Sequence, residues 1–216
     1  MACTRWLTIV AGVSWLWGAR AEAAEVLRTA LVVRVYDAAG LTPAFEDHAL
    51  TAAAESLRKA LVDVHWKRCT PGPQPSEPSC ARPLGLADGR RGALADGADR
   101  EVSVRIVRGT AIPASATVTA LGDAFVDTRS GDAVLATIYY NRVIWLATMA
   151  GTDPSTLLGR ALAHELGHLL MHSNKHARNG LMRPTWTHEE VRRDRAGDWA
   201  FSSAEVRVIQ RRSARF

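Results

Sequence analysis

At 216 residues, 47% hydrophobic and 23% charged, the chain has the make-up of one globular domain with a sizeable core, which excludes a disordered or fibrous protein. The formal charge is +5. The arginines are scattered apart from Arg192, Arg193, Arg195 and Arg211, Arg212, Arg215, and no aromatic residues interleave with them to stack on bases, so a solvated basic face is expected and a nucleic-acid partner is not.

Residues 1–23 read as a secretory signal peptide: Arg5 precedes an apolar run from Trp6 to Trp17, and Ala21, Glu22, Ala23 supply a small-residue cleavage pattern. The run falls short of the roughly 20 residues that span a bilayer. A secreted or periplasmic product, residues 24–216, with no membrane span after signal removal is therefore expected. Cleavage takes Cys3 away and leaves Cys69 and Cys80, an even pair in an oxidising compartment, so a disulfide is expected across the Pro-rich TPGPQPSEPS segment.

From Leu27 to Tyr36 apolar and polar residues alternate, with Leu31, Val33 and Val35 on one face and Arg34 and Tyr36 on the other, as in a half-buried strand. Thr42 and Pro43 then suit a cap and first helical position, and Leu50, Ala54, Leu57 and Leu61 recur at helical spacing. Val62, Val64 and Trp66 alternate through a second strand. Ala81 to Arg100, rich in Gly, Asp, Ala and Arg, reads as loop. Val102, Val104 and Ile106 mark a third strand, and Thr117 to Val126 and Val134 to Tyr140 two more, joined as a hairpin over Asp127 to Asp132. Asn141 suits the cap of a short helix, Arg142 to Ala150, ended by Gly151, and Asp153 with Pro154 starts another. A last helix is expected near Ser203 to Arg211. Strands and helices segregate, which predicts a single α+β domain with a twisted mixed sheet packed on helices.

The helix from Pro154 to about Met171 has no broad charged face, so it is expected to be buried. His164 and His168, four residues apart, project from one side of it about a turn apart, where both imidazoles can reach one tetrahedral ion. Glu165 sits beside the first histidine. A carboxylate there can act as general base on a water activated by Zn2+, taking its proton as it attacks a carbonyl. Two histidines and a glutamate on a buried helix would leave expensive unpaired groups unless a metal or a polar network satisfied them.

The segment HELGHLLMHSNKHARNGLM, His164 to Met182, resembles the zincin metallopeptidases and within them the metzincin branch. The metzincin pattern continues with Gly three residues, and a third His six residues, after the second histidine; those positions here hold Met171 and Asn174. His176 is the best replacement as third ligand, since Ser173 and Asn174 can turn the chain at the helix end and Asn tolerates a left-handed conformation. His172, one turn beyond His168, is expected to be a solvated residue near the helix C-terminus. Gly180, Leu181 and Met182 match a Met-turn, and the resemblance implies that Met182 forms an apolar floor under the histidines. A rival arrangement takes Glu190, on a short helix capped by Thr187 and running to Asp194, as third ligand.

The resemblance further implies that a peptide or protein substrate lies extended along an edge strand, for which Ala133 to Tyr140 is the candidate. Tyr139, Tyr140 and Trp186 read as core or edge-strand residues. The expected function is hydrolysis of peptide bonds, with Glu165 as general base and His164, His168 and His176 as zinc ligands. The alternative is a zinc-stapled binding module without catalysis, which would close its site with four protein ligands and need no free carboxylate there.

Overall fold

The computed structural model describes residues 28–70, 80, 100–110, 112, 120–127 and 133–213. The signal peptide and most of the loop expected over Ala81 to Arg100 lie outside the described residues, as do the first residues of the strand expected from Thr117 and the tip of the hairpin. Five strands form one sheet: β1 (Thr29–Asp37), β2 (Val62–Cys69), β3 (Arg100–Val107), β4 (Gly122–Val126) and β5 (Ala133–Tyr139), in the order β2-β1-β3-β5-β4. The first four in that order run parallel, and β4 is antiparallel to β5. The helices are α1 (Pro43–Lys59), α2 (Tyr140–Ala150), α3 (Pro154–Met171), α4 (His188–Arg193) and α5 (Ser203–Ser213), with a 3-10 turn at Ala196–Trp199. This is the expected α+β arrangement, and among the described residues no helix is long and apolar enough to cross a membrane.

Capping chemistry sets most helix bounds. Thr42 accepts from the Phe45 amide at the start of α1, Asp153 accepts from the Thr156 amide at the start of α3, and both helices carry Pro in their first turn. Gly151 ends α2 in the left-handed conformation at φ 65°. Asn141 does not cap α2, which already begins at Tyr140. Its Oδ1 accepts from the Gly109 amide at 2.8 Å and its Nδ2 donates to the Thr110 carbonyl at 3.1 Å, so it ties α2 to the chain leaving β3. Leu61 also falls outside α1, which ends at Lys59, and takes a positive φ of 63° as the chain turns into β2.

Arg34, expected on a solvent face of β1, is only 3% exposed. Its Nε and Nη2 donate to the two carboxylate oxygens of Glu101 on β3, at 2.9 and 2.7 Å, and Lys67 on β2 approaches the same carboxylate. β1 lies inside the sheet between β2 and β3, so Arg34, buried on the face opposite Leu31, Val33 and Val35, is paired across strands instead of hydrated.

The core lies between the sheet and α1 and α3, with α2 packed on α3 and α4. Every residue of α3 from Leu157 to Met171 is buried except Arg160. Gly159 lets α1 and α3 touch: a Cβ there would lie 2.4 Å from the Ala49 carbonyl oxygen. Cys69, at the end of β2, is disulfide-bonded to Cys80, with Cα atoms 5.7 Å apart.

Candidate metal centre

α3 brings His164, Glu165 and His168 to the floor of a cleft of about 240 Å³, whose walls are Ala120 to Ala124, leading into β4, and the chain from Asn174 through Arg183 to Trp186. His164, Glu165 and His168 are 7%, 6% and 4% exposed. His176 lies at the rim and completes the group: the candidate ligand atoms of the three histidines all lie within 4.8 Å of one another.

The tautomers follow from the neighbours. His164 Nδ1 lies 2.8 Å from the Leu181 carbonyl and His168 Nδ1 lies 2.7 Å from the Ser173 carbonyl. A carbonyl oxygen only accepts, so both Nδ1 atoms carry the proton and both Nε2 atoms present lone pairs. His168 Nε2 is 3.1 Å from His164 Nε2 and 3.2 Å from His176 Nε2. Lone pairs at such a separation repel unless a cation stands between them. Nitrogens about 2.0–2.1 Å from a tetrahedral zinc are about 3.3 Å apart, so the donor types fit Zn2+ and the two pairs that His168 makes have the matching spacing.

Burial drives the His164 pKa down to about 3, against the opposing pull of its bond to Leu181, and lowers those of His168 and His176 as well. Neutral imidazole is the form that ligates metal. Burial, with a smaller contribution from the charge of Asp123, raises the Glu165 pKa to about 8. Glu165 abuts β4, where a Cβ at Gly122 would lie 2.9 Å from its Oε1 and 2.6 Å from the Thr137 carbonyl oxygen. Only glycine lets strand and carboxylate pass this closely.

The extra residues between His168 and His176 are absorbed at the end of α3. The left-handed residue is His172 at φ 48°, not Asn174, and the Ser173 amide bonds back to the His168 carbonyl at 3.1 Å. His172 is not simply solvated: its Nε2 lies 2.6 Å from Arg100 Nη2, which also donates to the Leu169 carbonyl at 2.6 Å. The Met182 side chain is fully buried against α3, where a Cβ at Gly167 would lie 2.7 Å from its Sδ. Gly180, at φ 81°, turns the chain so that the Leu181 carbonyl faces His164.

Glu190 does not join the cluster. Its Oε2 accepts from the Thr187 amide at 2.9 Å in a capping box and its Oε1 accepts from Arg183 at 2.7 Å, so both oxygens are engaged away from the histidines. Asp194 pairs with Arg160. The strand Ala133 to Tyr139 is internal, between β3 and β4, so the sheet edge beside the cleft is β4. Trp186 is buried but belongs to the cleft wall, its ring edge-on to His164 with centroids 5.6 Å apart. Tyr139 donates to Asp123 at the cleft mouth, and Tyr140 packs edge-on against Phe45.

Gly122, Asp123 and Arg183 were missed as cleft residues from sequence. Only Arg183 had a local signal, its place directly after Met182. No protein-family model and no curated protein matches the chain. Among solved structures the chain is similar to an archaemetzincin from Methanopyrus kandleri, with 19% identity over 86% of this chain and 95% of that one and a TM-score of 0.45. It is also similar to a zinc-dependent peptidase from Methanocorpusculum labreanum, with 16% identity over 82% of this chain and 99% of that one and a TM-score of 0.49.

Proposed function

We propose that the protein is a zinc-dependent peptidase in which His164, His168 and His176 hold the metal and Glu165 is the general base. The observation that carries this reading is the convergence of three imidazoles, two at the floor and one at the rim of an open cleft, with a carboxylate beside them. A closed structural site would use a fourth protein ligand, and among the described residues the group contains three. Bound zinc supplies Lewis acidity for the scissile carbonyl and makes a water nucleophilic near neutral pH.

The carbonyls of Leu181 and Ser173 hold two imidazoles in the ligating tautomer and orientation. Glu165 takes the proton from the attacking water and returns it to the departing amine nitrogen. β4 pairs with β5 along one edge, and no strand covers its other edge among the described residues. That edge offers main-chain groups to an extended peptide. Cleavage within a chain, rather than at its end, is part of the proposal, supported by the openness of the cleft between β4 and the Arg183–Trp186 wall. Export is part of it too, supported by the Cys69–Cys80 disulfide and the leader-like composition of residues 1–23.

The test is zinc content and peptide cleavage by the purified protein and by Glu165→Gln. The variant should keep its zinc and lose turnover by about 10²-fold or more. A zinc-bound wild-type protein that leaves peptide mixtures and unfolded proteins intact, or a Glu165→Gln variant as active as wild type, overturns the reading.

A further inference from the structure

The peptidase reading leaves one charged group of the cleft without a task. Arg183 is the one Lys or Arg among the described lining residues, and it is 5% exposed. Its Nη1 donates to Glu190 Oε1 at 2.7 Å. The other oxygen of Glu190, Oε2, is taken by the Thr187 amide and hydroxyl at 2.9 and 3.1 Å, so Glu190 meets Arg183 through one nitrogen and not through a fork. Arg183 Nε and Nη2 are buried and have no hydrogen-bond partner among the described residues. The Trp199 ring lies 5.7 Å from the guanidinium carbon, a cation–π contact that leaves those N–H groups without an acceptor oxygen.

Nε and Nη2 form the side of the guanidinium that matches both oxygens of a carboxylate. Arg34 uses the same two nitrogens on Glu101, at 2.9 and 2.7 Å. An unmet buried donor on a charged group is more costly than one on a neutral group, so a fork of this kind is strongly selective for the group that completes it. Glu165 and Asp123, the other Asp, Glu, Lys or Arg residues among the described lining, are both carboxyl groups, so Arg183 is the one cationic donor of the cleft wall suited to a carboxylate.

We propose that Arg183 is a specificity residue whose Nε–Nη2 fork receives a carboxylate of the substrate. The proposal rests on the peptidase reading for the nature of that substrate. Both nitrogens are covered in the free chain, so engagement shifts a side chain of the cleft wall, as binding surfaces commonly do. The carboxylate is either an Asp or Glu side chain or the C-terminal carboxylate of a short peptide.

The experiment measures binding of matched peptides to zinc-loaded Glu165→Gln protein, with cleavage by the wild type followed in parallel. One set exchanges Glu for Gln at each position in turn, and the other exchanges a free C-terminus for the amide. The expected result is binding about tenfold or more tighter for the carboxylate member of one pair. A gain in the first set assigns a side chain, and a gain in the second assigns the C-terminus. Arg183→Lys should keep its zinc and lose most of that discrimination; if this variant folds poorly, the paired comparison in the Arg183 protein decides alone. Equal binding of Glu and Gln peptides, and of acid and amide, overturns the proposal, as does failure to bind any of them. Cleavage without a carboxylate preference sinks the Arg183 assignment and leaves the peptidase reading standing. Carboxylate-selective binding with no cleavage by the wild type does the reverse.

Discussion

The Nδ1–H of His164 donates to the carbonyl oxygen of Leu181 at 2.8 Å, seventeen residues along the chain. The Gly180–Leu181–Met182 turn therefore orients the first candidate ligand as well as flooring the site. Gly180 holds this turn at φ 81°, and a Cβ there would lie 2.8 Å from the Ala200 carbonyl oxygen, which itself accepts from the Leu181 amide at 2.9 Å. Gly180→Ala should thus displace the Leu181 carbonyl and weaken zinc binding about 10–100-fold, the range for losing a partner of a ligating histidine. Chelator competition measures it. Gly197→Ala, where a Cβ meets nothing within 4 Å, is the control and should bind zinc like wild type.

The two candidates for third ligand separate by what their removal does. His176→Ala should lose zinc with little loss of fold stability, because His176 is exposed. Glu190→Ala should keep its zinc but unfold more readily by about 2 kcal/mol or more, since it removes the capping box and strands the buried charge of Arg183. Metal content and urea unfolding of the two variants decide. Zinc loss from Glu190→Ala with retention in His176→Ala contradicts the assignment.

In metal-free protein, burial raises the Glu165 pKa from an ordinary 4.5 to about 8, so the fold favours the protonated acid. The stability this confers is complete below pH 4.5 and is lost as pH rises through 8. Glu165→Gln cannot ionise. Metal-free Glu165→Gln should therefore match wild type near pH 4 and become more stable than it, by a few kcal/mol at most, as pH climbs from about 5 to 9. Parallel pH profiles of unfolding for the two proteins contradict the buried-acid account.

At the start of α3 the sign is opposite. Burial works to raise the Asp153 pKa, but hydrogen bonds from the Ser155 hydroxyl at 2.6 Å and from the Thr156 hydroxyl and amide, both at 2.7 Å, outweigh it and bring the value to about 2. The cap's contribution is present above the ordinary 3.8 and is lost as pH falls towards 2. Asp153→Ala should lower stability by about 1 kcal/mol at neutral pH and by less near pH 2. Denaturant melts at the two pH values measure the difference.

The legible parts were those fixed by neighbours in sequence. A helix apolar on nearly all sides had to be buried, two histidines four apart had to share a face, and Asp153-Pro154, Gly151 and Thr187 marked ends where they stand. The misread parts depend on distant partners. Local alternation does not say that β5 lies inside the sheet and β4 at its edge, since strand order is set by pairing. Arg34 looks like a surface residue until Glu101 is brought beside it. Asn174 is the better left-handed residue by intrinsic preference, yet His172 takes that role, its ring held against Arg100 from the start of β3. Glu190 sat on the short helix expected of it, but a capping box and Arg183 claimed its carboxylate first.

The central claim, that three histidines and no other side chain hold a zinc open to substrate, is tested most directly by zinc-edge X-ray absorption on the zinc-loaded protein. The account predicts three imidazole nitrogens and one light-atom ligand from solvent at about 2.0–2.1 Å, reduced to two imidazoles or to no bound zinc in His176→Ala. A sulfur ligand, a fourth imidazole, or a spectrum unchanged by His176→Ala would contradict it.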